Sequence, residues 1–189
     1  MELMMPLDEY KRYRMNKGEL SKNRKLDRFL SWETSAGRNM FSIQAIDDRL
    51  RVAAKFLARK PNLVVVCGEL ESEGAAKFGE ALGVNVIDGY RCSLFSNPKN
   101  KDFTEPDAVF VTNADENRNV IGEANINKIP VVAFCNTNSS TDGIDLIIPL
   151  NVTSMRAIEV ALWLVANQIR KSKGEAEIAL EEFGTGQEE

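Results

Sequence analysis

Three sets of residues have types and spacings that could do chemistry. The first is a basic run, in which Lys11, Arg12, Arg14, Lys17, Lys22, Arg24, Lys25 and Arg28 stand against only Glu19 and Asp27. Interleaved with Tyr10, Tyr13, Phe29 and Trp32, these cations suit phosphate contacts with stacking on bases or sugars. A solvated face is the competing reading of any charge run, but so strong an excess of one sign points to a polyanion. The second set is the loop GELESEGA at 68–75, which has two glycines but neither GxGxxG nor GxxxxGK[ST]. Glu69, Glu71 and Glu73 would repel a phosphate at a helix N-terminus that otherwise attracts one, so a solvated helix start is the expectation there. The third set is Asn113, Asp115, Asn136, Thr137 and Asn138, the residues that would gather at the ends of two neighbouring strands. They are also ordinary turn and N-cap residues. Asp115, Asp142 and Asp145 are conceivable Mg²⁺ ligands, although no calcium-loop spacing is present.

What is missing narrows the chemistry further. The chain contains no histidine, which excludes His-based triads and His general bases and removes the commonest zinc ligand. The three cysteines, Cys67, Cys92 and Cys135, are far apart and odd in number, without disulfide-framework or zinc spacing. Cys67 and Cys135 end apolar runs and read as small buried hydrophobes. Carboxylate, lysine and thiolate chemistry stay open.

The elements that must position these residues follow from the apolar pattern. Pro61 precedes LVVVC at 63–67, Pro106 precedes AVFV at 108–111, and Pro130 precedes VVAFC at 131–135. Proline suits the entry to a strand, and unalternating Val-rich runs suit strands covered on both faces, hence a parallel sheet. VNVID at 84–88 and DLIIP at 145–149 are shorter candidates of the same kind, and FSIQAI at 41–46 is a candidate strand near the start. Helices are expected from Asp47 to Arg59, Ser72 to Leu82 with Gly83 as the stop, about Asp115 to Asn125, and Ser154 to Lys173. A short helix is expected from Pro6 to about Arg14, whereas Lys17 to Trp32 reads as too polar for the core. The βαβ alternation implies a doubly wound, mostly parallel Rossmann-like (flavodoxin-like) α/β sheet with helices on both faces.

At 189 residues, 43% hydrophobic and 28% charged, the chain fits one domain with terminal arms. The expected division is a basic arm over 1–40, the α/β domain over 41–174, and an acidic tail over 175–189 left in solvent. That tail carries Glu175, Glu177, Glu181, Glu182, Glu188 and Glu189 with no lysine or arginine. No stretch approaches the ~18–20 apolar residues of a membrane span, and the opening residues lack the basic, then apolar pattern of a secretory leader. A cytosolic location without membrane contact is the expectation.

Several longer stretches carry a resemblance. They are PLDEY at 6–10, DDRLRVAAKFLA at 47–58, FTEPDAVFVTN at 103–113, IPVVAFCNTNS at 129–139, IDLIIPLN at 144–151 and ALWLVANQI at 161–169. In these, and in their order from Asp47 to Gly174, the chain resembles the S-two family of small-subunit ribosomal proteins, in its archaeal and eukaryotic, laminin-receptor-like branch. The resemblance implies a Rossmann-like domain with no nucleotide, no other cofactor, no small-molecule substrate and no enzymatic turnover. It implies a structural place near the junction of head and body, with small-subunit ribosomal RNA and neighbouring ribosomal proteins as partners. By position it adds Arg49 in DDRLR and Arg91 in GYRCS as candidate RNA contacts, with surface salt bridges as the alternative. The chain departs from the family pattern at RYRMNKGEL, which lacks the family's histidine, and at Gln44, Ala45 and Ile46, where Arg-Lys-Thr is usual. A nucleotide- or sugar-phosphate-binding enzyme using Asn113, Asp115 and Asn136 is the competing class.

Overall fold

In the computed structural model, which describes residues 3–68, 71–89, 93–101 and 103–183, five strands form one parallel sheet. They are β3 (Leu63–Cys67), β4 (Asn85–Asp88), β5 (Ala108–Val111), β6 (Val131–Cys135) and β7 (Leu146–Pro149). Every residue of β3, β5 and β6 is buried, which explains why their apolar runs do not alternate. The order across the sheet is β4-β3-β5-β6-β7. That is the flavodoxin-like winding, with its reversal of direction between β3 and β5. A ligand crevice is expected beyond the carboxyl ends of those two strands.

The reversal also assigns the helices. Right-handed crossovers that run from β3 to β4 in one direction and from β5 to β6 in the other put α3 (Ser72–Leu82) and α4 (Arg118–Ile126) on opposite faces. The long α5 (Met155–Lys173) packs on α3 and on α2 (Ile43–Leu57), so these three share one face. Phe78 of α3, Phe110 of β5 and Phe134 of β6 meet edge to face beneath them, at centroid distances of 5.8 and 5.1 Å. On the other face the carboxylate of Glu123 in α4 accepts hydrogen bonds from the backbone N–H of Ser93 and Phe95 and from the Ser96 hydroxyl. It thereby seats the buried Leu94 and Phe95.

The N-terminal region holds a short helix α1 (Leu7–Arg12), a 3₁₀ turn over Arg24–Phe29, and an antiparallel hairpin of β1 (Leu30–Glu33) and β2 (Asn39–Phe41). Here the structure corrects two expectations. The 41–46 segment is not a strand: β2 ends at Phe41, and Ser42 caps a helix that begins at Ile43, its hydroxyl accepting from the Ala45 N–H. Nor is the polar 17–32 stretch outside the core, because Leu26 and Phe29 are buried and leave the charged neighbours outside.

One carboxylate ties this region to the sheet domain. Asp47 in α2 is fully buried and accepts from the Met4 N–H at 2.9 Å, the Tyr10 hydroxyl at 2.7 Å and Arg51 Nε at 2.7 Å. Burial and the adjacent Asp47 carboxylate raise the Tyr10 phenol far above its ordinary range, so it stays a donor. At the other end of the chain, residues expected in solvent fold back on α5. The Ile178 carbonyl accepts from Trp163 Nε1 and Asn167 Nδ2, its N–H donates to Asn167 Oδ1, and Phe183 of the terminal turn α6 (Leu180–Phe183) is buried.

Candidate nucleic-acid interface

The basic run folds into a groove. Pro6 opens α1, Asp8 and Glu9 sit in its first turn and Lys11 and Arg12 in its last, a charge order that complements the helix dipole. The chain then turns sharply at Arg14, whose φ of 55° lies in the left-handed region a side chain rarely adopts. That turn is held from both sides: Asn151 Nδ2 donates to the Arg14 carbonyl at 3.0 Å, and the Asn151 N–H donates to the Met15 carbonyl at 3.1 Å. Past the turn, Lys17 bridges Met40 of the hairpin. The result is a groove of about 530 Å³ whose lining includes Lys11, Arg14 and Lys17 together with Ser31, Trp32 and Met40 of the hairpin. No carboxylate is among its lining residues. Among the described residues none of the three cations forms an ion pair.

The remaining predicted cations are placed differently. Arg28 and Arg49 lie over the ring of Phe29 at 4.7 and 5.0 Å, and burial, then the charge of Arg28, lowers the Arg49 pKa. Lys22 pairs with Asp27 at 3.3 Å and Lys25 with Asp142 at 2.6 Å, both in exposed positions, whereas Arg24 is exposed. Arg12 and Arg156 flank the ring of Tyr13. Arg91, Cys92 and Glu69 lie outside the described residues. Of the four aromatics singled out for stacking, Tyr10 and Phe29 are buried and committed internally, whereas Trp32 is 57% exposed.

At the carboxyl ends of the strands the expected crevice exists, about 290 Å³ in volume, with Asn113, Asp115, Asn136 and Asn138 at its walls. Its other walls include Glu19, Glu71 and Glu116, so it is strongly acidic. Glu71 is not the solvated helix-start residue expected from sequence. It is buried and accepts from the Thr112 hydroxyl of the neighbouring loop, and burial, reinforced by Glu116, raises its pKa. A Cβ added at Gly68 would lie 2.5 Å from Glu116 Oε2, so a carboxylate occupies the approach to the backbone that phosphate loops leave open.

The leading segment is tied down at the edge of the crevice. The Glu19 N–H donates to the Thr137 hydroxyl at 2.8 Å, that hydroxyl donates to the Ser21 carbonyl, and the Asn23 N–H donates to the Thr137 carbonyl at 2.7 Å. Gly18 rests so closely on Thr137 that a side chain there would collide with its Cγ2. The three Mg²⁺ candidates are dispersed among separate partners: Asp115 with Ser139 and Arg118, Asp142 with Lys25, and Asp145 with the Val131 N–H at the opposite end of the sheet. Among the described residues no group of three or more potential ligands is arranged for a metal. Burial pushes the Cys67 and Cys135 thiols up to about 12, so both are protonated at neutral pH.

Sequence reasoning missed two things here. Gly18 and Thr137 meet across more than a hundred residues, and nothing in their local sequence marks the contact. Glu71 looks the same as Glu69 and Glu73 until the fold buries it.

The scaffold is flavodoxin-like, its crevice is acidic and edged by its own leading segment, and among the described residues Lys11, Arg14 and Lys17 form no ion pair. Residues 95–172 match the family model described as "Ribosomal protein S2". The chain is 30% identical to the small ribosomal subunit protein uS2 of Haloquadratum walsbyi (strain DSM 16790 / HBSQ001), over 96% of its own length and 67% of that relative. The chain belongs to the ribosomal protein S2 family, a family of structural rather than enzymatic kind.

Proposed function

We propose that this protein is a structural constituent of the small ribosomal subunit that holds ribosomal RNA against its N-terminal basic face. The reading includes contact with neighbouring ribosomal proteins near the junction of head and body, in the cytoplasmic ribosome, and no turnover. Family membership supports the structural role. The observation that carries the RNA contact is the carboxylate-free groove, where Lys11, Arg14 and Lys17 form no ion pair among the described residues, in a chain whose net charge is −4. Cations kept clear of internal partners can each release condensed counterions from a phosphate backbone. Lys22, Arg24, Lys25, Arg28 and Arg49 extend this face, with Arg12 beside it, and Arg91 belongs to the same reading by its family position.

The test has two arms. Density-gradient fractionation of cell lysate should place the chain with small subunits, and its recovery at the top of the gradient would overturn the structural role. Titration of the purified chain with RNA should give an affinity that falls with salt, each phosphate contact adding about −0.7 to −0.9 to the log–log slope. An affinity indifferent to ionic strength would overturn the RNA contact.

A further inference from the structure

Charge accounts for the affinity of the basic face for a polyanion but not for the shape of the groove or for Trp32. An indole left 57% exposed on a hairpin strand costs apolar surface in water, and it lines the same groove as three cations, so an apolar ring and positive charge face one recess. The chain's other tryptophan shows the contrast. Trp163 is half-buried and donates its Nε1–H to the Ile178 carbonyl at 2.7 Å, whereas among the described residues the Trp32 indole has no hydrogen-bond partner. A duplex presents a convex row of phosphates with its bases stacked inside, so a recessed groove with an open π-face has nothing to read on it. An unpaired nucleotide offers both halves of the match, a base for the ring and flanking phosphates for the cations.

We infer that this groove takes an unpaired RNA nucleotide, its base stacked on Trp32 and its flanking phosphates held by Lys11, Arg14 and Lys17. This rests on the RNA-binding reading above and narrows it from RNA in general to unpaired RNA. The site is built before the ligand arrives. Arg14 is locked in its left-handed turn by Asn151, which is 3% exposed, and Lys17 is registered to Met40 by a backbone bridge. The walls therefore lose little further conformational freedom on binding. An acidic protein segment would meet the same cations but has no use for the open ring face.

The experiment compares the full chain binding a single-stranded oligoadenylate and a duplex RNA of equal length, by fluorescence anisotropy. The single strand is expected to bind more tightly. Trp32→Ala should weaken single-strand binding roughly 5- to 150-fold, the span of one base–aromatic stack, and leave duplex binding unchanged. Trp32→Phe, which keeps a stacking face at an exposed position, should retain most of the preference and guards against a folding defect. Arg14→Gln should weaken both RNAs and lower the salt slope. If Trp32→Ala leaves the single-strand preference intact, the stacking site is overturned and the basic-face reading survives. Displacement of the single strand by polyglutamate at equal charge, with no effect of Trp32→Ala, would assign the groove to an acidic protein segment and overturn it too. If neither RNA binds in a salt-dependent way, the basic-face reading falls, and this inference with it.

Discussion

Two recesses of this molecule draw on adjacent stretches of the same leading segment and have opposite characters. The crevice over the carboxyl ends of β3, β5 and β6 is where a doubly wound sheet holds its ligand, yet it is lined by Glu19, Glu71, Asp115 and Glu116 and strapped by residues 18–23. The groove beside the hairpin follows from no fold rule, yet it carries an exposed indole and three cations that form no ion pair among the described residues. Residues 11–17 and 18–23 are consecutive, so strapping the crevice is also what sets out the basic wall of the groove. In this scaffold the inherited ligand position serves as an anchor point, and the binding surface proposed above lies beside it.

The largest expected effect comes from cutting the tie that both recesses share. Asp47→Ala removes the acceptor of three hydrogen bonds, among them that of the buried Tyr10 hydroxyl, which should cost about 3–5 kcal/mol in thermal or urea unfolding. Amide exchange over residues 4–18 should accelerate in the same variant. Unchanged protection there would show that the leading segment is held independently of α2.

Next in size, replacing Lys11, Arg14 and Lys17 together by glutamine should lower RNA affinity roughly 100-fold at moderate salt and reduce the log–log slope by about 2 to 3. Neutralising Glu19 and Glu116 in the crevice should not weaken binding. Equal losses from the two sets of changes would erase the distinction between the recesses.

A third change probes the strap alone. Gly18→Ala sets a methyl against Thr137 Cγ2 and the Asn39 carbonyl, so it should destabilise the protein by about 1–3 kcal/mol. A variant as stable as the parent would mean that the segment can lift from the crevice without cost.

The smallest effect is electrostatic. Because burial, reinforced by Glu116, raises the pKa of Glu71 in the folded chain, its contribution to stability is fully present below the ordinary carboxylate range. That contribution is lost as pH rises through the raised folded value. Glu71→Gln should therefore stabilise the protein at neutral pH by on the order of 1 kcal/mol, or about 2–4 °C in Tm, with the difference closing in acid. A gain of the same size at low pH would assign it to packing instead of charge.

Much of this fold is legible in the sequence because it depends on local pattern. The Val-rich runs after Pro61, Pro106 and Pro130 become β3, β5 and β6 at the expected residues, and Gly83 adopts the left-handed φ of 66° that ends α3. Cys67 and Cys135 are buried, as small hydrophobes at strand ends should be. The start of α2 was less legible, because the apolar residues of 41–46 suit a strand as well as a helix and only the capping contact of Ser42 decides between them. The last described residues were misjudged for a related reason. A run of glutamates hides Ile178 and Phe183, which find their partners on α5 only once the chain folds back.

By itself the sequence determined the parallel α/β class, the family and the concentration of positive charge between residues 11 and 28, since each is a matter of composition, order or short-range periodicity. Tertiary structure alone decided which cations are paired, which aromatics are exposed and which recess is acidic. Those outcomes turn on contacts between residues far apart in the chain, Tyr10 with Asp47, Gly18 with Thr137 and Arg14 with Asn151. A side chain's charge is set by its type, but its availability to a partner is set by what the rest of the chain packs against it.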